Sequence, residues 1–130
     1  MIAARKNYKG SPNYLGLTVA YNTPNIGTAN MVQVGTLPAG CVVFPAIIAV
    51  TEAFNAGTTN VLIIGTSSDD DAYVAAGDAD EATVGGYYIT RSAGFVPTVD
   101  TPVYVKFTET GTAATTGAAK IIIPYAPFAA

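Results

Sequence analysis

The chain has 130 residues, half of them hydrophobic and only 12% charged, with a net charge of −3, whereas an ordinary soluble domain carries about 25% charged residues. That length suits a single domain, and the acidic balance argues against a dedicated nucleic-acid binder, which presents a basic face. With no histidine and one cysteine, Ser–His–Asp and Cys–His catalysis are impossible within the chain and a zinc site is effectively excluded.

Residues 1–13 hold Arg5, Lys6 and Lys9, half of the six basic residues, together with Tyr8, Gly10 and Pro12. They show no hydrophobic period, so the segment reads as an extended N-terminal arm ahead of one domain spanning 14–130. No apolar core follows the cations, and neither a secretion signal nor an anchor is expected. The longest apolar run, Cys41 to Val50, is broken by Pro45 and is far shorter than the ~20 residues of a spanning helix. No membrane partner is expected.

Beyond the arm, short β-branched and aromatic segments are separated by Gly, Pro, Asn, Asp and Thr clusters, the punctuation of strands and turns. Strands are predicted at Leu15–Tyr21 and Met31–Val34. Val42 to Phe54 reads as one bent strand, with Pro45 at an edge or bulge because its nitrogen has no hydrogen to donate. Cys41, beside Val42, Val43 and Phe44, reads as a buried structural thiol. Asn55 to Thr59 turns the chain, and Asn60–Ile64 returns as the partner in a predicted hairpin.

Asp69, Asp70 and Asp71 precede Ala72 to Ala76, and acids favour a helix N-terminus, so one short helix is predicted over Asp70–Ala76. Val84–Thr90 is a further strand. Val103, Val105 and Phe107 alternate with Tyr104 and Lys106, the pattern of a half-buried strand. A second hairpin is predicted between Val103–Glu109 and Ala119–Tyr125. In that last strand Ile121, Ile123 and Tyr125 share one face, while Ile122 opposite implies cover on both sides. The sum is an all-β β-sandwich or jelly roll of about seven or eight strands.

The one constellation that bears on chemistry is Asp69, Asp70, Asp71, Asp78, Asp80 and Glu81. Clustered oxygens can bind calcium, but this spacing matches no EF-hand, and a solvated acidic loop is the expected reading. Paired carboxylates of a glycosidase need a sugar-binding cleft, and the chain has no Trp to line one. No catalytic residue, cofactor or metal is assigned. Eight tyrosines fit either sheet edges with the hydroxyl in water or packing at an interface, since Tyr joins a rigid apolar body to a polar tip. The shortage of charge points to surface that faces other protein subunits.

The runs Val32-Gln33-Val34-Gly35-Thr36-Leu37-Pro38-Ala39-Gly40 and Ala53-Phe54-Asn55-Ala56-Gly57-Thr58-Thr59-Asn60-Val61-Leu62-Ile63-Ile64-Gly65-Thr66, with a final Ala-Lys-Ile-Ile-Ile-Pro-Tyr strand, resemble small virion proteins of tailed phages. The resemblance covers roughly 31–125 and rests on turn and strand patterns. It implies a capsid decoration, or cement, protein on the outer capsid surface of the virion, often a homotrimer, with the major capsid protein as partner. On that reading Arg5, Lys6, Tyr8, Lys9 and Tyr14 are the candidate capsid-binding residues. The alternative is a carbohydrate-binding head-fibre or tail-associated β-sandwich module, for which exposed tyrosines grouped at Tyr87-Tyr88 would be the sign. A small carboxylate-dependent hydrolase is the third reading.

Overall fold

A computed structural model describes residues 13–27 and 30–127. Its strands are β1 (Tyr14–Ala20), β2 (Val32–Leu37), β3 (Val42–Val43), β4 (Ala46–Glu52), β5 (Thr59–Gly65), β6 (Gly85–Ile89), β7 (Thr101–Thr110) and β8 (Ala118–Ala126). A five-stranded sheet runs β1-β8-β4-β6, with β3 also on β8, and packs against a three-stranded sheet, β2-β7-β5. All pairings are antiparallel, and the architecture is the expected all-β sandwich.

Period-two alternation decides which residues enter the space between the sheets. Val103, Val105 and Phe107 of β7 meet Ala119, Ile121 and Ile123 of β8 there, joined by Val19, Ile48, Leu62 and Ile64. Burying each large aliphatic or aromatic side chain contributes roughly 1.5–3 kcal/mol, so these alternating positions hold the two layers together. Cys41 lies fully buried among them, and burial pushes its thiol pKa up. Val42 to Glu52 follows β8 with a break at Phe44-Pro45, where the Phe44 N–H still donates to the Pro124 carbonyl at 2.9 Å. This is the bent strand the proline foretells.

Three expectations fail. Neither predicted hairpin forms: β4 lies in the larger sheet and β5 in the smaller, and β7 and β8 are likewise divided. Both connections cross the sandwich side by side. Gly57 N donates to Thr112 O at 2.8 Å, Asn55 Oδ1 accepts from Thr115 N and Thr116 N, and Gly117 N donates to Glu52 Oε1. The adjacent strands β1, β8 and β4 thus cross together at one end and re-pair as β2, β7 and β5. Phe54 anchors the crossing, its ring centroid 5.0 Å from that of Phe107. Gly117 (φ +141°) leaves room for it, because a methyl group there would collide with the Phe54 ring.

The third failure is the helix over 70–76. Ile64 N donates to Val74 O, and Tyr73 N and Val74 N both donate to Ile64 O. Tyr73 and Val74 are consecutive yet both buried. Pairing with the edge of β5 satisfies the backbone that a single helical turn, costly to nucleate, would have had to satisfy alone.

Candidate functional site

The acidic segment is built into the fold more firmly than a solvated loop. Asp78 accepts both Arg91 Nε and Nη2, at 2.9 and 3.0 Å, and the guanidinium holds its carboxyl below the usual carboxylate range. Asp70 accepts Lys106 Nζ at 2.8 Å, and Asp80 caps the turn at Ala82 and Thr83. Carboxylate oxygens of Asp69, Asp70 and Asp71 lie within 4.8 Å of one another. Asp71 is raised above the ordinary range, chiefly by its hydrogen bond with the Asp69 carboxyl and further by desolvation and the charges of Asp69 and Asp70.

Glu81 is the residue that sequence reasoning placed wrongly. It is 4% exposed, and its Oε2 accepts the Leu62 N–H at 3.0 Å, closing the free edge of β5. Burial raises its pKa, opposed by the Leu62 hydrogen bond. A carboxyl whose folded pKa is raised is favoured by the fold at acid pH, and that contribution is lost as pH rises through the folded value. Glu81→Gln keeps an acceptor and removes the ionisation, so at pH 7 it should unfold at the same or higher urea concentration than the wild type, with no advantage at acid pH. Glu81→Ala strands the Leu62 N–H and should cost about 1–3 kcal/mol.

Of the five candidate contact residues, Arg5, Lys6, Tyr8 and Lys9 lie outside the described residues. Tyr14 opens β1 and is 51% exposed. Its ring covers Gly16, where a Cβ would stand 3.0 Å from Tyr14 Cε2. Tyr14 thereby joins a surface that the register defines. Gly16, Ile122, Ile47 and Tyr88 are successive cross-strand partners along β1-β8-β4-β6, and Tyr14 faces Pro124 in the next row. Cross-strand partners share a face, so this apolar stripe runs across the outside of the larger sheet, with Tyr88 76% exposed.

On the following row, Thr18, Lys120, Ala49 and Gly86, only Lys120 is charged. A shallow groove of about 300 Å³ lies between Tyr14, Thr18, Lys120 and Ile122. The outside of the smaller sheet is mixed: Gln33, Tyr104, Lys106 and Thr108 share it with Val61 and Ile63 of β5, and the 66–71 loop reaches over it to Lys106. Ile122 was legible as an apolar residue on the face opposite Ile121 and Ile123; the structure leaves it half-buried on the outer face, with no described layer over it. Ile47 was not legible, because Ala46 to Val50 is apolar throughout and gives no alternation.

A recess of about 680 Å³ lies at the far loops between Thr66, Asp69, Arg91, Ser92, Phe95 and Val99. Ser92 Oγ is buried there without a hydrogen-bond partner among the described residues. Tyr87 and Tyr88, adjacent on β6, point to opposite sides, and Tyr87 donates its hydroxyl to Thr83 O at 2.9 Å.

No protein-family model matches the chain, and no curated protein matches it. Two solved structures do. A chain of the cyanophage Pam1 capsid asymmetric unit superposes with a TM-score of 0.66 at 23% identity, covering 92% of this chain and 86% of that one. A chain of the capsid of Ralstonia phage GP4 gives 0.57 at 18% identity, covering 93% and 87%. This chain shares its sandwich fold, over nearly all of its length, with chains of two phage capsid structures.

Proposed function

We propose that this is a structural virion protein of the capsid decoration type, which seats on the outside of a phage head and stabilises contacts between major capsid subunits. The observation that carries the reading is the apolar outer face of the larger sheet, Tyr14, Ile47, Ile122, Pro124 and Tyr88, on a fold shared with chains of phage capsids. A contiguous apolar stripe on a sheet's outer face is unfavourable in water and marks surface made for a protein partner. The active unit is a homotrimer, in which three such faces act together and avidity exceeds the affinity of one. Undecorated heads sedimented with purified chain should carry it down saturably. Non-saturable or absent co-sedimentation would overturn the proposal.

One observation favours a second reading, a carbohydrate-binding head-fibre or tail-associated module: the 680 Å³ recess sets Asp69 and Arg91 beside Phe95. Sugar sites combine such polar groups with an aromatic platform. The sign that would favour this reading, Tyr87 and Tyr88 grouped on a solvent-facing surface, is met by Tyr88 alone, since the two side chains diverge and Tyr87 is half-buried.

A further inference from the structure

Every sheet that is not closed into a barrel must protect its edges, and three of the four edges in this sandwich carry a recognisable device. At β2 a register shift between Gln33 and Gly35 bends the strand, and Gln33 Nε2 folds back to Thr36 Oγ1 at 3.2 Å. At β5 the chain's own 66–81 segment supplies the partners, through Val74 and Glu81. At β1 the strand closes on β2 of the opposite sheet, with Leu15 against Gly35.

The fourth edge is β6, Gly-Gly-Tyr-Tyr-Ile. It has no charge, proline or bulge, and among the described residues its backbone pairs only with β4. Such an edge is a template for one more strand.

We propose that the free edge of β6 receives residues 1–12 of a neighbouring copy as an added strand, so that arms exchanged around a ring hold the homotrimer together. This rests on the decoration reading only for the number of copies. Charge matches the two parts. The arm brings Arg5, Lys6 and Lys9; the segment leading into β6 brings Asp69, Asp71 and Asp80, which form no ion pair among the described residues. Asp80 accepts the hydroxyl of Thr83, whose carbonyl in turn holds Tyr87 of β6.

The route favours a neighbour over the arm's own β6. The arm departs at Asn13, whose carbonyl accepts the Tyr125 N–H, and at that end the Val43–Phe95 and Gly94–Val43 hydrogen bonds extend the sheet between arm and β6. An arm turning back within its own chain must climb over that extension. A head-to-tail exchange needs one arm and one edge per copy, and closes as a ring when the rotation between copies is that of the trimer.

The test replaces Tyr8 with the photo-crosslinker p-benzoylphenylalanine in the full chain and irradiates it without capsids. Adducts at two and three times the monomer mass, mapping to the peptide around Gly85–Ile89, are the expected result. Adducts confined to monomer mass, adducts mapping elsewhere, or none would overturn the proposal. Gly86 has ordinary φ and open space around its Cβ position, so Gly86→Lys and Gly86→Glu should both fold. Lysine there should lower the crosslinked yield about tenfold by repelling the arm, and glutamate should preserve it; equal yields would sink the charge argument. Capsid binding is not involved, so failure here leaves the decoration reading standing, and failure to bind heads leaves the exchanged arm standing.

Discussion

Aspartate at both Ile47 and Ile122 is expected to reduce attachment to capsids by at least about a hundredfold while the sandwich remains folded. Truncating a hot-spot residue at the centre of an interface costs about 2 kcal/mol or more, each 1.4 kcal/mol is tenfold in affinity, and a carboxylate facing an apolar partner adds desolvation to that loss. The two residues are direct cross-strand partners at the middle of the outer stripe, so any partner seated on that face must cover both. Neither belongs to the buried core. The cost to folding should therefore stay near the ~1 kcal/mol span of strand propensities for each substitution, plus a further repulsion of up to about 1 kcal/mol between the two directly opposed carboxylates, which a typical domain stability of about 5–15 kcal/mol tolerates. Thr108→Asp, on the outside of the smaller sheet, is the matched control and should bind as the wild type does. Co-sedimentation and urea unfolding of the same preparations separate the two effects.

Phe54→Ala is expected to be the most damaging single core substitution, at about 3–5 kcal/mol. Phe54 is not on a strand. It sits in the crossing between β4 and β5, packs at a tilt against Phe107 of β7 and lies against Gly117 just before β8, so one ring ties together both crossings and both sheets. Removing it leaves a cavity whose walls are held by the Asn55–Thr115 and Asn55–Thr116 hydrogen bonds and cannot collapse freely. Against a typical domain stability of about 5–15 kcal/mol, such a loss should bring the urea midpoint down by a large fraction. Tyr88→Ala, which removes a ring that is 76% exposed, should change stability by no more than about 0.5 kcal/mol.

These two residues also show what the sequence made legible. Strand positions were readable wherever alternation was clean, as at Val103-Tyr104-Val105-Lys106-Phe107, and Pro45 marked its bend because a residue without an N–H interrupts the hydrogen-bond ladder. Connectivity was not readable. Asn55 to Thr59 and Thr110 to Gly117 have the Gly, Asn and Thr content of hairpin turns, and the same residues also suit a crossing between layers. The sign of a crossing is burial inside the connection, at Phe54, Ala56 and Ala114, which only a partner layer can supply.

The acidic segment misled for a related reason. Six carboxylates look uniformly solvated until the edge of β5 is in place and draws Glu81 and Val74 onto it. The outer face was half legible: Ile122 stood out as apolar on the wrong side, whereas Ile47 was hidden within an unbroken apolar run.

The most direct measurement is electron cryo-microscopy of undecorated heads to which the purified chain has been added back. The expected result is density on the outer capsid surface where capsid subunits meet, with the β1-β8-β4-β6 sheet turned toward the capsid, and no such density for Ile47→Asp/Ile122→Asp. Density confined to the tail, a sandwich seated by its other sheet, or heads left bare by the wild-type chain would contradict it.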